Sequence, residues 1–431
     1  MKSPTIALGI VLAVCASVAP LSQQASPGPI DPDDELRGIV AHPEVRRALA
    51  LAHELEARAE QELIELTEIP APPFEEAARA ARYAELLGGT GLDNVAVDEV
   101  GNVLARRPGT GAGETVAIVA HLDTVFSPGT DVTVRRQADR LYAPGIGDNT
   151  RGLVLLLNVA RAIVRAEVRT VADILFVGSV GEEGLGDLRG VAHLLSSSGS
   201  RIDQFIAIDG GSDSQVVNEA VGSRRYRVTV TGPGGHSWGD FGLANPAHGL
   251  ARAMYYFDEA AAELVNAGPA SSYNVGRIGG GTSVNAVPHE SWAEVDMRSV
   301  DTDQLQRMDD VLRNAVARGL DEQNRRRDRG EALSADIELI GDRPSGIVVP
   351  DTPLVQRALA VTRFLGMTPR LGAASTDANL PIAHDIPAVT IGRGGVGGGA
   401  HSLDEWWSPR NAHVAVQRAL LLLVASAGLA G

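Results

Sequence analysis

Five short segments of this chain carry side chains able to hold a metal ion. AHLDTV offers His121 and Asp123, GIGDNTRG offers Asp148, GEEG offers Glu182 and Glu183, FIAIDGG offers Asp209, and GGGAHSLDEW offers His401. Imidazole together with carboxylate is a donor set suited to zinc and to related divalent ions. Singly, each residue has a plain structural explanation. A histidine after a strand satisfies buried hydrogen bonds, Asp148 ahead of NTRGLVLLL is placed as a helix N-cap, and paired glutamates usually face solvent. Five such segments just past predicted strands, most of them set among glycines, point instead to one assembled centre. Glycine leaves the backbone room where an ion and a substrate must both approach.

The spacing adds chemistry. His121 and Asp123 lie on the same face of an extended segment, so Asp123 can accept the second ring N–H of His121, fix its tautomer and raise its basicity. Glu182 and Glu183 point to opposite sides of theirs. One can then ligate while its neighbour stays free for proton transfer. Asp377, in ASTDANLP, occupies a further loop of small residues and reads equally as a lining residue or a structural turn. His193, His248, His289, His384 and His413 fit no such pattern and read as structural.

Elements that would position these residues are visible as changes of period. EVRRALALAHELEARAEQELIEL, from His42 to Leu66, has helical spacing, and FEEAARAARYAELL begins another helix after the IPAPP break. NVAVDEV, NVLARR, TVAIVAHL, DILFVGSV and FIAID read as strands, with the helix GLVLLLNVARAIVR among them. Strands alternating with helices predict an α/β domain built on a mostly parallel sheet with helices on both faces. In such sheets, sites form where strands end. The texture changes near Val221: RRYRVTVTG, a helix over 246–267, SWAEVDMRSV, a helix over 301–318 and ADIELIG form a smaller inserted α+β block, with NRRRDRG as an exposed turn. After Asp342 the α/β pattern resumes with a helix from Thr352, the strand PAVTIG and a last helix from Asn411. The expected organisation is a catalytic domain over 42–221 and 343–431 and an inserted domain over 222–342.

The N-terminus predicts export. Lys2 precedes the apolar run Ile6 to Ala19, too short for a comfortable membrane span, and a small, polar, proline-rich stretch follows. Residues 1–25 read as a secretory signal and 26–41 as a disordered leader. Cys15 is the only cysteine, so no disulfide forms within the chain; lipid anchoring through it is the lesser alternative, because Val14 poorly matches the small residue such signals prefer. A net charge of −16 argues against nucleic acid or an anionic membrane surface as partner.

Together HLDTV, GIGDNTRGL, GEEGLGDLRG, AIDGG, TGPGGHSWGD, GGTSVNAVP and GGAHSLDEW resemble the metallopeptidase family of glutamate carboxypeptidase, aminoacylase, peptidase T and succinyl-diaminopimelate desuccinylase. The resemblance spans nearly the whole chain after the leader, with the motifs in the family order. It implies two Zn2+ ions, replaceable by Co2+ or Mn2+, with His121 and Asp209 on one, Glu183 and His401 on the other, and Asp148 bridging. Glu182 would be the general base and Asp123 the orienting acid. The inserted domain would be a lid that also forms a homodimer interface, moving about crossings near Val221 and Asp342. His236 would reach into a partner's site, while Asn285 and Arg298 would hold a substrate carboxylate.

The implied activity is hydrolysis of amide bonds in small peptides or N-acyl amino acids. Carboxylate clamp candidates favour a carboxypeptidase or aminoacylase, whereas GIGDNTRG and VGEEGLGDLRG resemble the peptidase T side. A catalytically silent homologue acting as a binding or dimerisation module is the alternative class; such proteins typically lack ligands or the base, which are all present here.

Overall fold

Four strands with nearly unbroken apolar sequence make the centre of the main sheet. In spatial order they are Asp173–Ser179, Thr115–His121, Gln204–Ile208 and Ala388–Ile391, all mutually parallel. Thr115–His121 is buried at every position, as expected of a parallel strand covered on both faces rather than of an alternating surface strand. The computed structural model describes Met1 and residues 31–111, 113–196 and 201–431, of which Pro32–Gly431 forms one unit. Antiparallel strands extend the sheet at its edges: Val103–Arg107 beside Asp173–Ser179, and Gln215–Ala220 beside Ala388–Ile391.

Helices Gly152–Arg165 and Ala412–Ala427 pack against the central strand Thr115–His121. Leu153 to Leu157 and Leu420 to Leu423 are all fully buried, so these helices are apolar on nearly every side and sit inside the core. Within it, Arg161 is fully buried and makes a two-armed pair with Glu62, both contacts at 2.7 Å.

A second hydrophobic core belongs to the inserted block. Strands Ser271–Gly280, Glu290–Ser299, Gly222–Thr231 and Ser334–Arg343 form an antiparallel sheet in that order. Helices Pro246–Ala267 and Thr302–Arg325 pack on it around Tyr226, Val228, Val295, Met297, Phe257 and Leu312. Burial alternates along Glu290–Ser299, as in a sheet with one covered face. Ser271–Gly280 escapes sequence reading because this edge strand is glycine-rich and mostly exposed. The second helix runs to Arg325, past the expected Arg318. Asn379 is buried and donates from Nδ2 to the carbonyls of Val221 (2.9 Å) and Pro344 (3.0 Å), tying both crossings together.

Two readings need correction. Pro32–Ala41, expected within a disordered leader over 26–41, is a helix that buries Leu36 and Ile39. It docks on helix Pro353–Phe364 through Glu35–Arg357 and Asp33–Arg363 pairs, both 2.9 Å; its polar composition conceals a short apolar stripe that needs a distant partner. The helical stretch after His42 is interrupted at Leu55, giving Pro43–Glu54 and Glu56–Thr67. The signal reading on 1–25, with its apolar run and Cys15, lies outside the described residues. Among those described, no helix is long and apolar enough to cross a membrane.

Candidate metal centre

Three parallel strands end on the same edge of the sheet, and the chain places an ionisable residue at each exit. His121 is the last residue of its strand, in register with Ser179; Glu182 and Glu183 follow Ser179, and Asp209 follows Ile208. Asp148 lies in the turn Ile146–Arg151 that leads into helix Gly152–Arg165. His401 sits in the loop of the hairpin formed by Val396–Gly398 and Trp406–Ser408.

These residues converge. Ligand atoms of His121, Asp148 and Glu183 lie within 4.8 Å of one another. Asp148 stands between two histidines, with Oδ1 3.4 Å from His121 Nε2 and Oδ2 3.3 Å from His401 Nε2. His401 Nε2 is also 3.1 Å from Glu183 Oε1. Glu182 Oε2 is 4.0 Å from His121 Nε2. Asp209 reaches the group through Arg393, whose guanidinium nitrogen lies 3.3 Å from both Asp209 Oδ1 and Asp148 Oδ1.

The cluster's supports explain its shape. His121 Nδ1 lies 3.0 Å from the Asp123 carbonyl oxygen, which can only accept; Nδ1 therefore carries a hydrogen, which leaves Nε2, facing the cluster, as the ring nitrogen able to ligate once it is deprotonated. The expected contact with the Asp123 carboxylate is longer, 3.6 Å. That carboxylate instead accepts the main-chain N–H groups of Glu182 (2.9 Å) and Glu183 (2.7 Å), holding the GEEG segment in place. Asp148 makes no helix cap. Its turn begins at Gly145, whose φ of +78° favours glycine, and ends at Gly152, where a Cβ would sit 2.1 Å from Asn149 Oδ1. Asn149 donates from Nδ2 to the Ile208 carbonyl at 2.7 Å, anchoring the turn beside Asp209.

Residues that sequence reasoning missed do much of this work. Glu405, four positions after His401, is buried and accepts N–H groups from Gly145 (2.7 Å), Gly147 (2.9 Å) and Asp148 (2.8 Å); burial still pushes its carboxyl up to about 7. Arg343, buried at the end of the last strand of the inserted block, pairs with Glu182 Oε1 at 3.1 Å and also donates to the Glu182 carbonyl. No local pattern signals Arg343 or Arg393. A second acid soon after His401 was the visible hint of Glu405.

The electrostatics suit a cation. Burial raises the Glu182 carboxyl well above the usual carboxylate range, against the pull of Arg343 and with the push of Glu183. Burial carries Asp209 to about 6, with Asp148 adding to the rise. Hydrogen bonds to Asp148 and Glu183 lift His401 to about 10. Burial raises Asp148 too, but Arg393, His121 and His401 outweigh it and hold Asp148 well below its usual value. Among the described residues, His121 Nε2 and Asp148 Oδ1 are buried without a hydrogen-bond partner. Buried polar atoms left so are costly unless something else satisfies them, and a divalent ion between an imidazole lone pair and carboxylates does so.

A cavity of about 320 Å3 opens on the cluster, and Asp148, Glu182, Glu183, Asp209 and His401 line it. Arg225, Arg298 and Arg343 also line it. Arg298 and Arg225 share Asp296, at 2.8 and 3.0 Å. His236 and Asn285 do not line this cavity; they sit together, exposed, where Gly235–His236 pairs with Ala286–Val287. His236 Nδ1 accepts the N–H groups of Trp238 and Gly239, each at 3.2 Å, and the Asn285 carbonyl accepts that of Ser237 at 3.0 Å. Asp377 lies buried behind the cluster, where the Ser179 hydroxyl donates to it.

Residues 117–425 match the model of peptidase family M20/M25/M40. A comparison with curated proteins gives no match. Among solved structures, aminopeptidase PepT from Bacillus cereus superposes with a TM-score of 0.68 at 19% identity, covering 86% of this chain and 99% of that one. Human carnosine dipeptidase 1 gives 0.69 at 16% identity, covering 89% and 99%. A hydantoinase/carbamoylase family amidase from Burkholderia ambifaria gives 0.60 at 20% identity, covering 87% and 98%. At such identities the likeness is one of fold.

Proposed function

The chain belongs to peptidase family M20/M25/M40 and is a metal-binding hydrolase of amide bonds, and from that premise we propose that it uses two zinc ions, with Glu182 as general base, to cleave small peptides or N-acyl amino acids. The observation that carries this reading is Asp148 standing between His121 and His401, one carboxylate oxygen towards each. His121 and Asp209 would hold one ion, Glu183 and His401 the other, and Asp148 both. When bound, the pair supplies Lewis acidity to the scissile carbonyl and lowers the pKa of water in the cavity.

Glu182 holds and moves the proton. Its carboxyl faces the cluster without being needed as a ligand, and burial raises its proton affinity, which suits an acid–base group working near neutral pH. It takes the proton of the attacking water and passes it to the departing amine. Asp123 positions both glutamates through their main-chain N–H groups and orients His121 through its carbonyl. Arg298, with Arg225 beside it, receives a carboxylate end of the substrate. These lining arginines support a carboxylate-bearing substrate over a clamp for a free amine, although a solved structure of the same fold is an aminopeptidase.

The block 222–342 acts as a lid and, in a homodimer, lends His236 to the partner's site, which agrees with His236 being exposed and outside its own cavity. The N-terminal sequence supports export. The test is Glu182→Gln, purified beside wild type and assayed on dipeptides, tripeptides and N-acyl amino acids before and after chelation and zinc return. We expect chelation to abolish and zinc to restore wild-type cleavage, and the variant to bind zinc yet lose about 100-fold or more in turnover. Near-normal turnover of zinc-loaded Glu182→Gln would end the base assignment. A folded wild type that neither binds metal nor cleaves any amide would favour the silent-homologue reading.

A further inference from the structure

The two halves of the cluster differ by one built-in positive charge. On the His401 side, Asp148 Oδ2, Glu183 Oε1 and His401 Nε2 meet, and among the described residues no arginine or lysine pairs with these atoms. On the His121 side, the Arg393 guanidinium lies 3.3 Å from Asp148 Oδ1 and 3.3 Å from Asp209 Oδ1. Asp148 Oδ1 is also the oxygen facing His121 Nε2 at 3.4 Å. Arg393 therefore touches two of the three groups that would hold an ion there.

Arg393 is not a stray surface side chain. The residue is 9% exposed. Its N–H donates to the Gly210 carbonyl at 3.2 Å, and its own carbonyl accepts from Arg151 Nε at 3.2 Å. Its side chain packs over Gly147, where a Cβ would sit 3.4 Å from one guanidinium nitrogen. These main-chain bonds hold the Arg393 backbone beside the carboxylates, within reach of its guanidinium.

Resting on the two-zinc reading, we propose that Arg393 is a resident cation of the His121–Asp209 side, so that the chain takes up its two ions in unequal steps. The first ion goes to His401, Glu183 and Asp148. The second binds only when Arg393 gives up its contacts, and afterwards it sits beside a like charge. A monocation and a dication competing for the same two carboxylates make that step weaker, and the residual repulsion in a buried setting adds to the difference.

The test is zinc binding, independent of catalysis. Chelator-stripped full chain is titrated with Zn2+ by calorimetry and by competition with a chromophoric chelator, and the ion content after dialysis is read by mass spectrometry. Wild type, Arg393→Met, Arg393→Gln and Arg393→Lys are compared, with circular dichroism as the fold control. We expect wild type to show two steps separated by about tenfold or more. Met and Gln should tighten the second step by about tenfold or more and leave the first unchanged, while Lys, which keeps the charge, should retain the wild-type separation. Two equally tight steps in wild type would overturn the proposal, and that measurement decides even if a variant misfolds. Folded Met and Gln variants with unchanged or weaker second steps would overturn it as well. A folded wild type that binds no zinc would overturn the two-zinc reading itself, an outcome distinct from two equal sites.

Discussion

Replacing Glu405 tests whether the Asp148 turn is held from behind. The Glu405 carboxylate accepts three main-chain N–H groups, with Gly145 on Oε2 and both Gly147 and Asp148 on Oε1, at 2.7 to 2.9 Å. Glu405→Ala leaves up to three buried donors without a partner, each costing about 1–3 kcal/mol. With some relief from entering water, the summed loss should be about 3–6 kcal/mol. Glu405→Gln keeps one acceptor oxygen for Gly147 and Asp148 but turns an amide N–H2 towards Gly145, so its loss should be about 1–3 kcal/mol. The assay is urea unfolding of chelated protein at about pH 8, where the carboxyl, pushed up to about 7, is mostly ionised. Zinc titration runs beside it, because a displaced Asp148 should weaken metal binding by roughly tenfold or more, as loss of an outer support commonly does. An Ala variant that loses less than about 1 kcal/mol and binds zinc as wild type does would refute the argument that Glu405 sets the turn.

Two further changes probe the buried charges. Arg161→Ala leaves the buried Glu62 carboxylate with only the half-exposed Arg58 (2.8 Å) as partner and should cost about 1–3 kcal/mol, less than a fully stranded charge, whereas the double change Arg161→Met with Glu62→Leu should recover most of that loss. Denaturation midpoints of the three proteins decide it, and equal losses in single and double variants would show the pair is not the cause. Asp377 is buried, its Oδ1 has no hydrogen-bond partner among the described residues, and burial raises its carboxyl from 3.8 to about 6. A carboxyl raised in the folded state contributes stability that is complete below about pH 4 and is lost as pH rises through about 6, on the order of 2–3 kcal/mol. Asp377→Asn mimics the protonated form, so the metal-free variant should melt a few degrees above wild type at about pH 7.5, with the gap closing by about pH 4. A gap that persists unchanged at low pH would show a packing effect rather than a titration.

Much of the site was legible because metal ligation is chemically narrow. His121, Asp148, Glu183 and His401 stand out as residue types placed after strands, and a parallel sheet delivers successive strand ends to one edge. Reading Asp123 as a support for His121 caught the right neighbour but not the contact, since the carbonyl rather than the carboxylate meets the ring N–H. The strand Ser271–Gly280 was missed because an exposed, glycine-rich edge strand carries little hydrophobic alternation. Pro32–Ala41 was misread because a ten-residue helix with two buried apolar side chains is stable only on its partner helix.

The sequence by itself determined the amide-hydrolase class, the strand-end positions of the clustered histidines and acids, and the presence of a smaller inserted block. Those follow from local period and residue chemistry, which neighbours along the chain are enough to set. Only the tertiary structure decided what surrounds those residues. Arg343 meets Glu182 across 161 positions, Arg393 meets Asp209 across 184, and Glu405 meets the Asp148 turn across 257. An arginine or glutamate carries no mark of its distant partner in its own neighbourhood, so such pairings exist only once the sheet and its loops have closed on one another.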